Sequence, residues 1–290
     1  MPDSIFKLAV AKFGCIGAAP LLDLVLDERA DREDLEVRGF TSGAKLDPDS
    51  CNTIVQQLIA YTPDLILIVT PNATLPGATA ARTTLDEAGL PVITVSDGPS
   101  KKAFIGKDEA GKPTDISLPN QGYIILPCDP MLGARREFLD PTEMTLFNAD
   151  IIKVLAASGV IRYIQTHLDA AVSALKSDTG AALPKLIADA GTVVAAAGFA
   201  NPYAAAKALA ALTLAETVAK LTTKGCFVVK ERDDYIPLVA AGHEVLRAAA
   251  ALADAAREIE KAGDTVYRTP HTADGGVRQK IRLMDKPEAG

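Results

Sequence analysis

Arg135 and Arg136 stand side by side in the run Met131 to Pro141, giving two fork-shaped donors suited to a carboxylate, a phosphate or a planar heteroaromatic. The Gly133-Ala134 step before them lets a ligand approach the backbone closely. Behind them, Asp140 is placed as an N-cap, Pro141 as the first helical residue and Glu143 as the far member of a capping box. Capping accounts for Asp140, Pro141 and Glu143 but leaves the arginine pair unexplained, which favours a ligand-facing loop over an exposed, well-capped helix start.

Three strand-end loops form a second group. Gly14-x-x-Gly17, with Cys15 inside it, links a strand to a helix whose free N–H groups could hold an anion. It lacks the full Gly-x-Gly-x-x-Gly spacing of a dinucleotide fingerprint. Thr70-Pro71-Asn72 follows the third strand and Ser96-Asp97-Gly98 the fourth. Both would share the carboxyl edge of a parallel sheet with Gly14, where open sheets bind ligands; the alternative is that Pro and Gly only make turns there. The second strand ends in Thr41-Ser42-Gly43 without the acid that grips the ribose of NAD, although Thr41, Ser42 and Lys45 could meet the phosphate of NADP. The three histidines, His167, His243 and His271, have no metal-ligand spacing, and the four separated cysteines form no Cys-x-x-Cys pair. No Ser/His/Asp arrangement or nucleophile elbow is visible.

Positioning these loops requires an α/β fold, a mostly parallel sheet flanked by helices, with a helix bundle and a small β segment. Strands are expected at Lys7 to Lys12, Leu35 to Phe40, Leu65 to Val69 and Val92 to Val95, all four buried on both faces, with a fifth at Gly122 to Leu126. A charged, solvated connection covers Asp27 to Asp34, and residues 97 to 120 form a long excursion. Beyond Asp140 the chain turns alanine-rich and helical, with helices at 141 to 158, 160 to 176, 203 to 222 and 238 to 262, the third announced by Asn201-Pro202. Two hairpins are expected, Cys226 to Lys230 against Tyr235 to Val239, and Thr265 to Thr269 against Val277 to Leu283 around Asp274-Gly275-Gly276. The divisions are an α/β domain over 1–139, a helix bundle over 140–222, and a β segment plus the last bundle helix over 223–290.

A chain of 290 residues with 48% hydrophobic content buries a large core without staples. Its net charge of −7 and lack of Trp oppose nucleic-acid binding and favour a small-molecule partner. With no signal-peptide pattern and no apolar run near the roughly 20 residues of a membrane span, the expectation is a soluble, cytoplasmic protein.

Several segments together resemble the family of coenzyme F420-dependent methylenetetrahydromethanopterin dehydrogenases, nearly end to end. They are Leu26 to Asp34, Met131 to Pro141 with Glu143 and Met144, and Asn148 to Asp150 through Lys153 to Ala156. Asn201 to Ala204, and Arg268 to His271 with Asp274-Gly275, complete the set. The resemblance implies the same architecture, a homo-oligomer built from dimers (a hexamer in the family), and hydride transfer between methylene-tetrahydromethanopterin and the deazaflavin ring of F420 in one-carbon metabolism, with neither metal nor covalent enzyme intermediate. It assigns Gly14, Cys15, Gly17, Thr70, Pro71, Asn72, Ser96, Asp97 and Gly98 to the deazaflavin side. Arg135, Arg136, Glu137, Phe138, Asp140 and His271 fall on the pterin side. The stretch Pro99 to Asn120 is longer than the family pattern and lies at the deazaflavin edge, which leaves two alternatives: a pterin enzyme using NADP, another acceptor or none, and a non-catalytic pterin-binding protein.

Overall fold

The computed structural model describes residues 5–27, 32–128, 141–177, 182–266, 271–278 and 280–285. The chain divides into two compact units, one made of Met1–Ala19, Leu35–Pro127 and Ile164–Asp189, the other of Pro20–Asp34, Cys128–Tyr163 and Ala190–Gly290.

The first unit is built on a sheet whose strands follow from short runs of Leu, Ile and Val. They are β1 (Phe6–Lys12), β2 (Leu35–Thr41), β3 (Leu65–Val69), β4 (Val92–Ser96), β7 (Gln121–Ile125) and β8 (Lys185–Ile187), in spatial order β2-β1-β3-β4-β7-β8. Every pairing is parallel. Helix α1 (Ala18–Asp27) follows β1, α2 (Pro48–Tyr61) follows β2 and α3 (Pro76–Glu87) follows β3. Ala9, Ala11 and Phe13 of the first strand-loop, Ile66 and Ile68 of β3 and Val92 of β4 close one core against Ile54, Val55 and Leu58 of α2 and Ala81 and Leu85 of α3. The interior strands β3, β4 and β7 are buried throughout, as expected of a sheet covered on both faces. β2 departs from that expectation: it is an edge strand with exposed and half-buried positions after Leu35.

The long excursion is ordered. Gly98–Ala103 forms a 3-10 turn, and β5 (Ile105–Lys107) pairs antiparallel with β6 (Pro113–Asp115). Asp108 closes that hairpin by accepting from the Ala110 and Lys112 amides. Asp115 meets Lys185 of β8 at 2.5 Å.

The second unit contains α4 (Pro141–Ala157), α6 (Ala190–Ala196), α7 (Pro202–Thr223) and α8 (Arg232–Ala262); α5 (Val160–Lys176) follows α4 in the chain. Asn201 caps α7 by accepting from the Tyr203 amide, as its sequence signal implied. Glu260 of α8 fixes the same helix start, accepting from the Ala200 and Asn201 amides and from the Thr265 hydroxyl. Burial alone would raise this carboxyl, but those three hydrogen bonds and nearby Lys280 outweigh it and hold Glu260 below the usual carboxylate range.

Two sequence expectations change here. Cys226 to Lys230 and Tyr235 to Val239 are not paired strands: Lys224–Val228 is a π-helical turn, and α8 begins at Arg232 and carries Pro237 inside it. The reason is packing period. Tyr235, Val239, Gly242, Leu246, Ala249 and Ala253 recur at helical spacing and are buried, and close approach overrides the β propensity of Phe227 and Val228, which remain exposed. Gly225 and Gly242 permit that approach, since a Cβ on either would come within 3 Å of Val239 or Thr222. Near the C-terminus the turn at Asp274-Gly275 forms, with Thr272 N donating to Gly276 O; among the described residues its pairing is an isolated bridge from His271 to Val277, and residues 267–270 and 279, on which part of the expected hairpin falls, lie outside the described set.

The charged connection also differs at its described end. Arg32 and Asp34 pair with each other, with side chains only 6% and 15% exposed, and the neighbouring Glu33 amide donates to Ala273 O. Helix α8 is long and apolar enough to cross a membrane by length and composition. Its apolar stripe is instead buried within its own unit, and it carries buried His243 and Glu260, so it is a core helix.

Candidate functional site

The strand order reverses between β1 and β3: β2 lies on one side of β1, while β3, β4, β7 and β8 run off on the other. Connections leaving the carboxyl ends of β1 and β3 therefore part in opposite directions, and the opening between them is where parallel sheets of this kind hold ligands. The loops Phe13–Gly17 and Thr70–Leu75 flank it.

The first loop leaves the sheet at its last hydrogen bond, Phe13 N to Val69 O at 2.9 Å, and Gly14 then takes φ +82°. A side chain is strained at that angle, and a Cβ there would stand 2.7 Å from Leu46 Cδ1 and 3.3 Å from Pro71 Cδ. Gly14 thus lets the two rim loops meet. Cys15 is half-buried beside it, and α1 begins directly after Gly17 with no acidic residue in its first turn.

The second loop is held by a chain of hydroxyls. The Ser96 hydroxyl donates to Thr70 O at 2.5 Å, so its 2.6 Å contact with Ser100 has Ser100 donating, and Ser100 in turn accepts from the Ala73 amide at 2.7 Å. All three hydroxyl-bearing residues, Thr70, Ser96 and Ser100, are fully buried. The relay runs from the loop through the 3-10 turn and β4 back to the loop, which fixes Thr70 to Ala73 from both ends. Asn72 folds its own turn, accepting from the Thr74 amide and hydroxyl at 3.0 and 2.7 Å. Leu75 starts α3 without a side-chain cap, leaving an acid-free first turn as a favourable place for negative charge. Asp97 begins the 3-10 turn and is 9% exposed, and Gly98 has open space where a Cβ would project.

The structure thus gathers Gly14, Cys15, Gly17, Thr70, Pro71, Asn72, Ser96, Asp97 and Gly98 at one sheet edge. Arg135, Arg136, Glu137, Phe138 and Asp140 lie outside the described residues. His271 belongs to the other unit, in its bridge with Val277. In that unit, Glu143 meets His243 Nδ1 at 3.1 Å, and the imidazole stacks on Phe147 with centroids 4.1 Å apart. Burial lowers the His243 pKa and Glu143 partly opposes it.

Sequence reasoning passed over Ser100 and Arg82. Arg82 had a visible signal, because it falls on the stripe of Ala78, Ala81 and Leu85 that α3 buries. It is 5% exposed, and burial lowers its pKa to about 10, so it stays charged at neutral pH.

The hydroxyls on which NADP binding would rest are engaged in their own turn. Thr41 Oγ1 accepts from the Gly43 amide at 2.9 Å and the Ser42 hydroxyl donates to Lys45 O at 2.7 Å.

Residues 6–288 match the family model described as methylene-5,6,7,8-tetrahydromethanopterin dehydrogenase. A protein of Archaeoglobus fulgidus, the F420-dependent methylenetetrahydromethanopterin dehydrogenase, is 50% identical over 284 residues, covering 98% of this chain and all of the relative. The protein of the same description from Methanocaldococcus jannaschii is 46% identical over 285 residues with the same coverage. A solved F420-dependent methylene-tetrahydromethanopterin dehydrogenase, in complex with methylene-tetrahydromethanopterin and coenzyme F420, superposes with a TM-score of 0.87 at 42% identity, covering 98% of this chain and all of the other.

Proposed function

This chain belongs to the methylene-5,6,7,8-tetrahydromethanopterin dehydrogenase family, and from that membership we propose how its sheet rim serves hydride transfer. The protein is an oxidoreductase of one-carbon metabolism that moves a hydride between methylene-tetrahydromethanopterin and coenzyme F420. The observation that carries the reading is the full-length likeness to a solved relative holding both molecules. The residues at the rim suit the coenzyme: a loop crossing that only glycine permits at position 14, open space at Gly98, and an acid-free helix start at α3.

F420 supplies the acceptor carbon for the hydride. Loss of hydride leaves the one-carbon bridge as a cation spread over two nitrogens, so the chain's tasks are to align the two carbons, exclude water and tolerate that charge. Gly14, Cys15 and Gly17, Thr70 to Asn72, and Asp97 with Gly98 are the residues we assign to the deazaflavin side. Ser96 acts there through the loop it ties down. Arg135, Arg136, Glu137, Phe138, Asp140 and His271 are assigned to the pterin side, with the arginine pair addressing its polar groups. A cytoplasmic homo-oligomer built from dimers, a hexamer at full assembly, completes the proposal. Exposed Tyr203, Phe227, Val228, Leu283 and Met284 give it apolar surface to cover.

Mixing the purified protein with methylene-tetrahydromethanopterin and F420 should bleach the oxidised deazaflavin absorbance, while NADP in its place should yield no reduced nicotinamide. Reduction of NADP alone would replace the coenzyme assignment. Pterin binding with no acceptor reduced would make this a binding protein.

A further inference from the structure

We infer that Arg82 is a positioning residue for the coenzyme half of the site, acting through the loop Thr70–Ala73 rather than by touching a ligand. The inference rests on the reading that F420 occupies the sheet rim.

A buried guanidinium is costly unless its donors are satisfied, and no carboxylate among the described residues lies within ion-pair reach of this one. Its donors go instead to three separate segments. Nη1 donates to Ala73 O at 3.1 Å in the loop after β3, Nη2 to Ala103 O at 3.5 Å in the 3-10 turn, and Nε to Gln121 Oε1 at 3.0 Å in β7. Gln121 returns a 2.6 Å hydrogen bond to the carbonyl of Arg82 itself. The guanidinium carbon lies over the Phe104 ring, 4.4 Å from its centroid, and Phe104 stacks on Tyr123 with centroids 4.5 Å apart.

One of these contacts falls on a residue that is tethered from both sides. Ala73 has its amide held by Ser100 and its carbonyl held by both Arg82 and Thr79. It directly follows Asn72, and the relay that begins at its amide ends on the Thr70 carbonyl. Arg82 therefore sets the loop's height above the sheet relative to the 3-10 turn, two of the three segments assigned to the coenzyme. A lysine would keep the charge and most of the stem but has no planar fork to reach the three acceptors together.

The test compares wild type with Arg82→Lys, Arg82→Met and Ser100→Ala by direct titration of F420 and by steady-state kinetics in both substrates. Both Arg82 variants should raise Kd and KM for F420 about tenfold, the size of one lost charged hydrogen-bond set. KM for methylene-tetrahydromethanopterin should stay within about twofold of wild type. Ser100→Ala, which releases the amide end of Ala73 and the Ser100–Ser96 link but leaves the Ala73 carbonyl held, should shift F420 in the same direction by about threefold. It decides the matter if the Arg82 variants do not fold. Unchanged F420 affinity in folded Arg82→Lys, or in Ser100→Ala where that variant decides, overturns the inference, as does an equal loss for both substrates. Failure of wild type to bind F420 would instead overturn the coenzyme reading beneath it.

Discussion

Replacing Gly77 with alanine is expected to cost about 3 kcal/mol, the upper range for forcing atoms into a packed site, and to lower the melting temperature by roughly 5 to 10 °C. Gly77 is the second residue of α3, and a Cβ on it would lie 2.3 Å from the Leu46 carbonyl oxygen and 2.8 Å from both Asp47 O and Cys51 Sγ. None of these can yield easily. Two are backbone atoms at the start of α2, where Asp47 caps the helix through the Ser50 amide at 2.9 Å, and Cys51 is fully buried. The start of α3 would have to retreat and lift the loop Thr70–Leu75 with it, so KM for F420 should rise together with the loss of stability. A Gly77→Ala protein that melts like wild type would mean that the two helix starts do not approach as closely as these distances require.

The second large effect is expected at Gly14. Alanine there faces a φ of +82°, worth about 1 to 2 kcal/mol for a residue with a side chain, and a 2.7 Å contact with the end of Leu46, which can turn aside. The stability loss is therefore smaller than at Gly77. The functional loss is not, because the other neighbour is Pro71 across the rim, and separating the two loops should raise KM for F420 about tenfold with little change for the pterin. Gly89→Ala is the control. That residue also has positive φ, +71°, but open space around it and a place between α3 and β4, away from the rim. Comparable destabilisation with an unchanged KM for F420 is expected there. A similar rise in KM at both positions would show general loosening rather than a rim effect.

The sheet was legible because its interior strands are short, bounded runs of Leu, Ile and Val, and because Gly14, Asp47-Pro48 and Asn201-Pro202 punctuate the chain where elements begin. β8 and α6 escaped because three and seven residues carry too little periodicity, and Pro184 stands directly before the strand. The stretch from Cys226 to Val239 misled because its Val and Phe content mimics strands, while burial at helical spacing, spread over the much longer α8, decides its state. At the site, the strand-end loops could be found from Gly, Pro and Asn alone. Their fixing could not: the Ser96–Ser100 relay and the Arg82 fork join positions distant in sequence, and only the closed sheet brings them within hydrogen-bonding distance.

A hydride is expected to pass directly between the one-carbon bridge and the coenzyme on this chain. Supplying methylene-tetrahydromethanopterin fully deuterated at that bridge and weighing the reduced F420 formed in ordinary water tests it most directly. The expected deazaflavin product carries deuterium from the substrate; a product whose new hydrogen comes from solvent alone would overturn direct transfer.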